Sequence, residues 1–318
     1  YFFALWPVLR LRSMAREVEL PRMRGFQTTA WLTNVTNSFL GKQLDIALMA
    51  VFAVSFAAIG YYNLAYTLAN IIGVLLIAGL GGVGPAAMSA ALAAGGRERL
   101  AGVWRSVVML QVILTIPALA WALVSADKIA LVLYGQQYAG AVPLLQLYLA
   151  FTVVARLVGG GVHQSALYVI GRQRAVLVNR WIGLIANTVL DVLLIPRFGP
   201  MGALMGTGMT QLLVGSVEHL LVRRYISVRY PAGFALRVLI CSAVGAGLAA
   251  LIHAPGTLGL GLSIACFVLG FVPVLLLLLA RDPGDVQSVL DASPRLRQLA
   301  ERIWPAWRRR PESADGRS

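Results

Sequence analysis

Charge is scarce in this sequence. Asp, Glu, Lys and Arg make up 13% of its 318 residues, against roughly a quarter in ordinary soluble domains, while 58% of the residues are hydrophobic. A chain so poor in polar groups cannot cover its own surface in water, which excludes a soluble globular protein. Cysteine is rarer still. Cys241 and Cys266 lie in separate apolar segments, with no CxxC spacing and no histidine near them in sequence. That argues against a disulfide framework or a zinc site, and both read as small packing hydrophobes. No GxxxxGK[ST] loop occurs, so the chain carries no P-loop ATPase of its own. Acidic residues are outnumbered, 13 to 27, for a net charge of +14. Such an excess can mark a nucleic-acid binder, but these cations sit between apolar runs, and no nucleic-acid partner is expected.

What the sequence has in abundance is long apolar runs. Ser106–Ala126 and Leu258–Ala280 are uncharged, and each exceeds the roughly 18 residues that indicate a membrane span. Reading such runs against charged breaks predicts eight spans, at 26–55, 60–90, 104–125, 142–170, 174–195, 199–222, 234–253 and 257–280. All are expected to be helices, because backbone polar groups in hydrocarbon must be satisfied within the segment, and the runs are too long for barrel strands.

Assigning alternate loops to alternate sides gathers the loop arginines, from Arg10 through Arg237, with those of the tail on one side. Only Lys128 and Arg197 fall on the other. By the positive-inside rule the arginine-rich side is cytoplasmic, as is the C-terminus. The run Tyr1–Leu9 is too short to span and is followed by Arg10, Arg12 and Arg16, the reverse of a signal peptide. It reads as the end of a truncated helix, and the chain as the C-terminal part of a longer protein. Residues 1–24 are then a helix end and cytoplasmic loop, 25–222 a six-helix bundle, 223–280 two additional helices, and 281–318 a basic cytoplasmic tail. In that tail Ser293 and Pro294 would start a short amphipathic helix, with Leu296, Leu299, Ala300, Ile303 and Trp304 on one face, lying on the anionic inner membrane surface.

Gly79-Leu80-Gly81-Gly82-Val83-Gly84 matches GxGxxG formally, yet it ends an uncharged run with no strand before it and no acidic partner after it. Close helix packing or a helix break near Pro85 explains the glycines better, and Gly202-xxx-Gly206 reads as a packing motif too.

Ionisable residues inside spans carry the most information, because a charge at membrane depth costs several kcal/mol and is kept facing a cavity or a partner. Lys42 and Asp45 are three apart and can pair on one helix face, which Thr33, Asn34 and Asn37 extend as a polar stripe. Arg156 lies mid-run, and His163 shares its face across the flexible Gly159, Gly160 and Gly161. The plainer alternatives are an intrahelical ion pair for Lys42 and Asp45, a helix-to-helix tie for Arg156, and simple packing for His163. Asn187 and Asp191 are four apart, with Asp191 near the outer end and open to solvation. Glu218 and His219 lie close to the inner interface, where Glu218 can snorkel or pair with Arg223 or Arg224. A cavity lined by arginine and lysine favours a phosphate or carboxylate over a cationic drug.

Three motifs carry a family resemblance. Asp45 precedes Gly60-Tyr61-Tyr62-Asn63-Leu64-Ala65, of the form D…GxYxxA. Tyr134-Gly135-Gln136-Gln137-Tyr138-Ala139-Gly140-Ala141 has the form GxxYxxA. Gly171-Arg172 is followed by Leu194-Ile195-Pro196-Arg197-Phe198-Gly199-Pro200-Met201-Gly202-Ala203, similar to a PxxGxxGA helix junction. In order, spacing and sidedness these resemble the C-terminal half of the oligosaccharide (O-antigen type) flippases, in the superfamily that includes the multidrug-extrusion and lipid II flippase families. The resemblance covers roughly residues 26–222.

It implies an all-α integral membrane protein of about eight transmembrane helices: the second six-helix bundle of a two-bundle transporter, plus two extra helices. The first bundle is absent from this sequence. The implied activity is not enzymatic. It is translocation of a lipid-diphosphate-linked oligosaccharide to the periplasmic leaflet of a bacterial inner membrane, by alternating access. Arg156 and Lys42 would bind the diphosphate or an acidic sugar, Asp45 would tune Lys42, His163, Asn34 and Asn37 would line the cavity, and Gly159 to Gly161 would hinge. No cofactor or metal is expected, and the coupling ion, proton or sodium, is left open. Membrane lipids and polysaccharide assembly proteins are candidate partners. The rival readings are a membrane-embedded polymerase or glycosyltransferase, against which the short external loops argue, and a cationic-drug antiporter, which would need acidic cavity residues.

Overall fold

The computed structural model describes residues 20–38, 42–75 and 80–280. The expectations for residues 1–19 and for the basic tail, 281–318, lie outside these. The described residues are helical, with no strand among them. Helix α1 is Leu20–Ser38, α2 Leu44–Val51, α3 Phe56–Leu75, α4 Leu80–Val124 and α5 Ala126–Tyr134. After a 3-10 turn, Gln136–Ala141, come α6 Val142–Leu157, α7 Val162–Val169, α8 Gln173–Phe198, α9 Pro200–Ile226, α10 Ala232–Ala250 and α11 Gly256–Ala280.

Each expected span has a helical counterpart, several of them interrupted. The 26–55 run is carried by α1 and α2, with a π turn at Lys42 and Gln43 leading directly into α2. The 60–90 run is shared between α3 and the first leg of α4. Helix α4 kinks at Gly95 and Gly96, where Gly96 takes φ +65, a conformation open to glycine at little cost. The charged Arg97-Glu98-Arg99 follows immediately. The 142–170 run breaks at residues 158–161, between α6 and α7.

Among the described residues, five stretches are long and apolar enough to cross a membrane: Gly84–Val124, Gln136–Val169, Gln173–Phe198, Ala232–Ala250 and Gly256–Leu277. Helices α3 and α9, of 20 and 27 residues, are also long enough to span. They are diluted by Asn63, Thr67 and Asn70 in one, and Thr207, Thr210, Gln211 and Glu218 in the other. Several of these polar groups point inward.

The hairpin α8–α9 is the tightest junction. Gly199 reverses the chain at φ +56 and Pro200 starts α9 at its first turn, where a missing N–H costs nothing. A Cβ on Gly202 would run into the Leu194 carbonyl, and one on Gly206 into Asp191 Oδ1. These glycines therefore pack α9 directly on α8, as the GxxxG spacing predicts. The outward face of α8 carries Trp181, Ile185, Val189 and Leu193, each about half exposed or more, at the four-residue interval of a lipid-facing stripe.

Two cores flank this hairpin. One gathers Trp104, Met109, Leu167, Val222, Phe234 and Cys241. The other gathers Met49, Tyr62, Leu119, Leu145, Tyr148 and Leu204. Helices α10 and α11 pack on each other, and α10 packs on α4. Cys241 is buried and both cysteines are free thiols, in agreement with their reading as packing residues.

Candidate functional site: a buried carboxylate pair and a deep arginine

Asp45 opens α2 and is fully buried. Its Oδ2 accepts from the Tyr62 hydroxyl on α3 and from Thr207 Oγ1 on α9 at 2.6 Å. Its Oδ1 accepts from Asn187 Nδ2 on α8 at 3.1 Å. The same amide donates to Asp191 Oδ2 at 2.9 Å, so Asn187 bridges two carboxyl groups that face one another. Asp191 is fully buried. This corrects the expectation that it is solvated near the outer end of its span: Gly206 has no side chain, and the Asp191 carboxylate occupies the space a Cβ would take.

Two carboxylates buried face to face cannot both stay charged without a counter-ion. They must share a proton or hold a cation. Asp191 Oδ1 and Asn187 Oδ1 are buried without a hydrogen-bond partner. With Asp45 and Thr207 they make an all-oxygen donor set suited to a proton or a hard monovalent cation. Among the described residues there is no cluster of three His, Cys, Asp or Glu side chains able to hold a metal.

Lys42 is not the partner of Asp45. The expected i, i+3 pairing presumes regular α geometry, whereas Lys42 sits in the π turn, which changes the angle between the two side chains. Lys42 is half-buried, Asn34 is exposed and Asn37 is half-buried. Thr33 is fully buried and donates to the Thr29 carbonyl. The side chains that donate to Asp45 are those of Tyr62, Thr207 and Asn187, none of them on α1. With Asp191, the partners of Asp45 come from three other helices.

Arg156 ends α6. Its guanidinium lies beside Gly73 of α3, whose Cβ would sit 3.7 Å from one terminal nitrogen, and beside Gly161 across the helix break. It has no acidic partner among the described residues. His163 does not share a continuous face with it, because Gly159 and Gly161 take φ +93 and +87 and interrupt the helix. The imidazole folds back so that Nε2 meets the Val158 carbonyl at 2.7 Å, and it stacks on Trp104 at 5.4 Å. The neighbouring Leu157 carbonyl accepts from the Tyr230 hydroxyl. Side chains thus satisfy two carbonyls released by the break, as hydrocarbon surroundings require. Burial pushes the Tyr230 phenol, in the loop after α9, up to about 12, so it stays a donor at physiological pH.

Glu218 pairs with Arg180, not with Arg223 or Arg224, at 2.8 Å, and Arg180 also donates to Gln164 at 2.9 Å. At 1% exposure Glu218 faces the bundle interior rather than the interface. The residues missed from sequence are Tyr62, Asn187, Asp191 and Thr207 as partners of Asp45, and Arg180 as partner of Glu218. Two signals were available: a tyrosine inside the D…GxYxxA pattern, and a polar pair four residues apart in an apolar run.

No curated protein and no solved structure matches the chain. Residues 2–143 match a family model described as polysaccharide biosynthesis protein. The match takes in Asp45, Tyr62 and the first two motifs, while Arg156, Asn187, Asp191 and Thr207 lie beyond it. Over residues 2–143, then, this all-α membrane chain is similar to a family of polysaccharide biosynthesis proteins.

Proposed function

We propose that this protein moves a lipid-diphosphate-linked oligosaccharide from the cytoplasmic to the periplasmic leaflet of a bacterial inner membrane, as part of cell-surface polysaccharide synthesis, by alternating access. The observation that carries the reading is Arg156. A guanidinium at membrane depth, without an acidic partner among the described residues and beside an interrupted helix, is a cost that anion binding offsets. Its planar fork suits a diphosphate or sugar carboxylate. No bond is made or broken in this scheme. The break at 158–161 supplies the place where a span can bend, and the reaction needs nothing beyond two alternately exposed states.

The carboxylate pair serves as the site of the coupling cation. Asp45 has three donors directed at it and is held as an acceptor, while Asp191 Oδ1 is free to take the ion. An incoming proton or sodium ion relieves the repulsion between the two carboxyl groups, so its binding energy is available to shift the conformational equilibrium.

The test uses the full-length gene. After its deletion, lipid-linked oligosaccharide should accumulate on the cytoplasmic leaflet, and a normally expressed Arg156→Ala variant should fail to restore export. Accumulation of unpolymerised units on the periplasmic leaflet would overturn the reading and indicate an enzyme acting after translocation.

A further inference from the structure

The carboxylate pair and Arg156 lie along the same helix at different depths. Asp45 is bound by Tyr62 of α3 and Arg156 lies against Gly73 of α3. Those two positions are separated by roughly 16 Å of helix at about 1.5 Å per residue. From Tyr62 a ladder of stacked tyrosines leads across to α6, the helix that carries Arg156. Tyr62 stacks on Tyr66 with ring centres 6.0 Å apart and planes at 28°. Tyr66 stacks on Tyr148 of α6 at 5.0 Å and 20°. Tyr148 is 1% exposed, and its hydroxyl accepts from Gln211 Nε2 at 2.8 Å. On α6, Tyr148, Thr152 and Arg156 follow at intervals of four, on one face. Thr152 is buried and donates to the Tyr148 carbonyl.

Helix α9 ties both ends of the ladder. Thr207 donates to Asp45, and Gln211, one turn later, donates to Tyr148. Phenylalanine would fill the same space without a hydroxyl to satisfy, so the contact of buried Tyr148 with the half-buried Gln211 calls for a role beyond packing.

We infer that the Tyr62–Tyr66–Tyr148 ladder, fastened by Gln211, couples occupancy of the Asp45–Asp191 pair to anion binding at Arg156. The inference rests on the two sites assigned under the proposed function. An ion on the carboxylate pair changes what Asp45 demands of Tyr62 and Thr207. Stacked rings in a close-packed interior pass the resulting shift on rather than absorb it. Tyr148 and Gln211 are thus positioning residues, touching neither ion nor substrate.

A double-mutant cycle on the chain in lipid nanodiscs tests this, with inorganic pyrophosphate as the anion and calorimetry as the readout. Asp191→Asn removes one of the two facing carboxylates permanently. It should tighten pyrophosphate binding about five-fold or more, the lower end of typical coupling between sites. In a Tyr148→Phe background the same change should move the affinity by less than about two-fold, the limit expected when the two sites no longer communicate. Gln211→Leu breaks the same fastening and should reproduce the result, which covers a Tyr148→Phe protein that fails to fold. A direct electrostatic effect across the protein would survive both variants, so equal shifts with and without the Tyr148 hydroxyl would overturn the ladder. A wild-type protein that binds no pyrophosphate would remove the Arg156 site and the ladder with it. Pyrophosphate binding indifferent to Asp191→Asn would leave the Arg156 site standing and overturn the coupling alone.

Discussion

Asp45 and Lys42 are three residues apart and meet opposite environments. Asp45 is the acceptor for three donors from three helices, so Asp45→Ala leaves Tyr62, Thr207 and one N–H of Asn187 buried without an acceptor. Thermal unfolding in detergent should register a loss of about 3 kcal/mol or more, the cost of stranding buried polar groups. Asp45→Asn keeps an acceptor oxygen and should lose clearly less. Lys42→Ala breaks no ion pair with Asp45 and should stay within about 0.5 kcal/mol of the parent. If Lys42→Ala is as damaging as Asp45→Ala, the two do act as a pair. At Gly206 the prediction is purely steric. A methyl group there collides with Asp191 Oδ1, so Gly206→Ala should abolish the dependence of transport on an ion gradient while leaving the protein membrane-inserted.

At the scale of elements, the break between α6 and α7 separates three glycines that look alike in sequence. Gly159 and Gly161 take positive φ, and a Cβ on Gly159 would stand 2.7 Å from the His163 ring. Gly160 has ordinary φ, and its Cβ would lie 3.4 Å from the Ala155 carbonyl. Gly159→Ala and Gly161→Ala should therefore each cost about 1–3 kcal/mol of stability, with Gly160→Ala milder than either. Equal effects at all three would mean that the break tolerates regular helix. Tyr230→Phe leaves the Leu157 carbonyl without its donor. Hydrogen exchange should then quicken at residues 157–161 and leave the α8–α9 hairpin unchanged. A uniform acceleration would instead signal general destabilisation.

For the whole molecule, the arginine asymmetry makes an orientation prediction. The alternation of apolar runs assigns Arg97, Arg99, Arg172 and Arg174 to one side of the membrane and Asp127 with Lys128 to the other. In a background with Cys266→Ser, a cysteine introduced at exposed Asp127 should react with an impermeant thiol reagent applied outside intact cells. One introduced at exposed Arg97 should react only after the cells are opened. The reverse pattern would invert the topology and place the break beside Arg156 nearer the outer surface, which is incompatible with loading substrate from the cytoplasm.

Composition and periodicity alone determined that this is an all-α membrane protein and which stretches of the described residues form its long apolar helices, because hydrocarbon solvent leaves the backbone no other way to satisfy its hydrogen bonds. They also marked Asp45, Arg156 and the glycines of 159–161, since a charge or a flexible triplet inside an apolar run stands out against its surroundings. Local spacing failed where it assumed unbroken helix. Lys42 falls in a π turn, and His163 lies beyond a break, so neither keeps the face that counting by fours assigns to it. Spacing also said nothing about contacts between distant segments. Only the tertiary structure decided that Asp45 meets Tyr62, Asn187, Asp191 and Thr207, that Glu218 meets Arg180, and that stacked tyrosines lead from Tyr62 to Tyr148 on the helix that carries Arg156. Those pairings are set by the closeness of α9 to α8, which Gly202 and Gly206 permit, and by the depth at which each side chain comes to rest when separate helices pack.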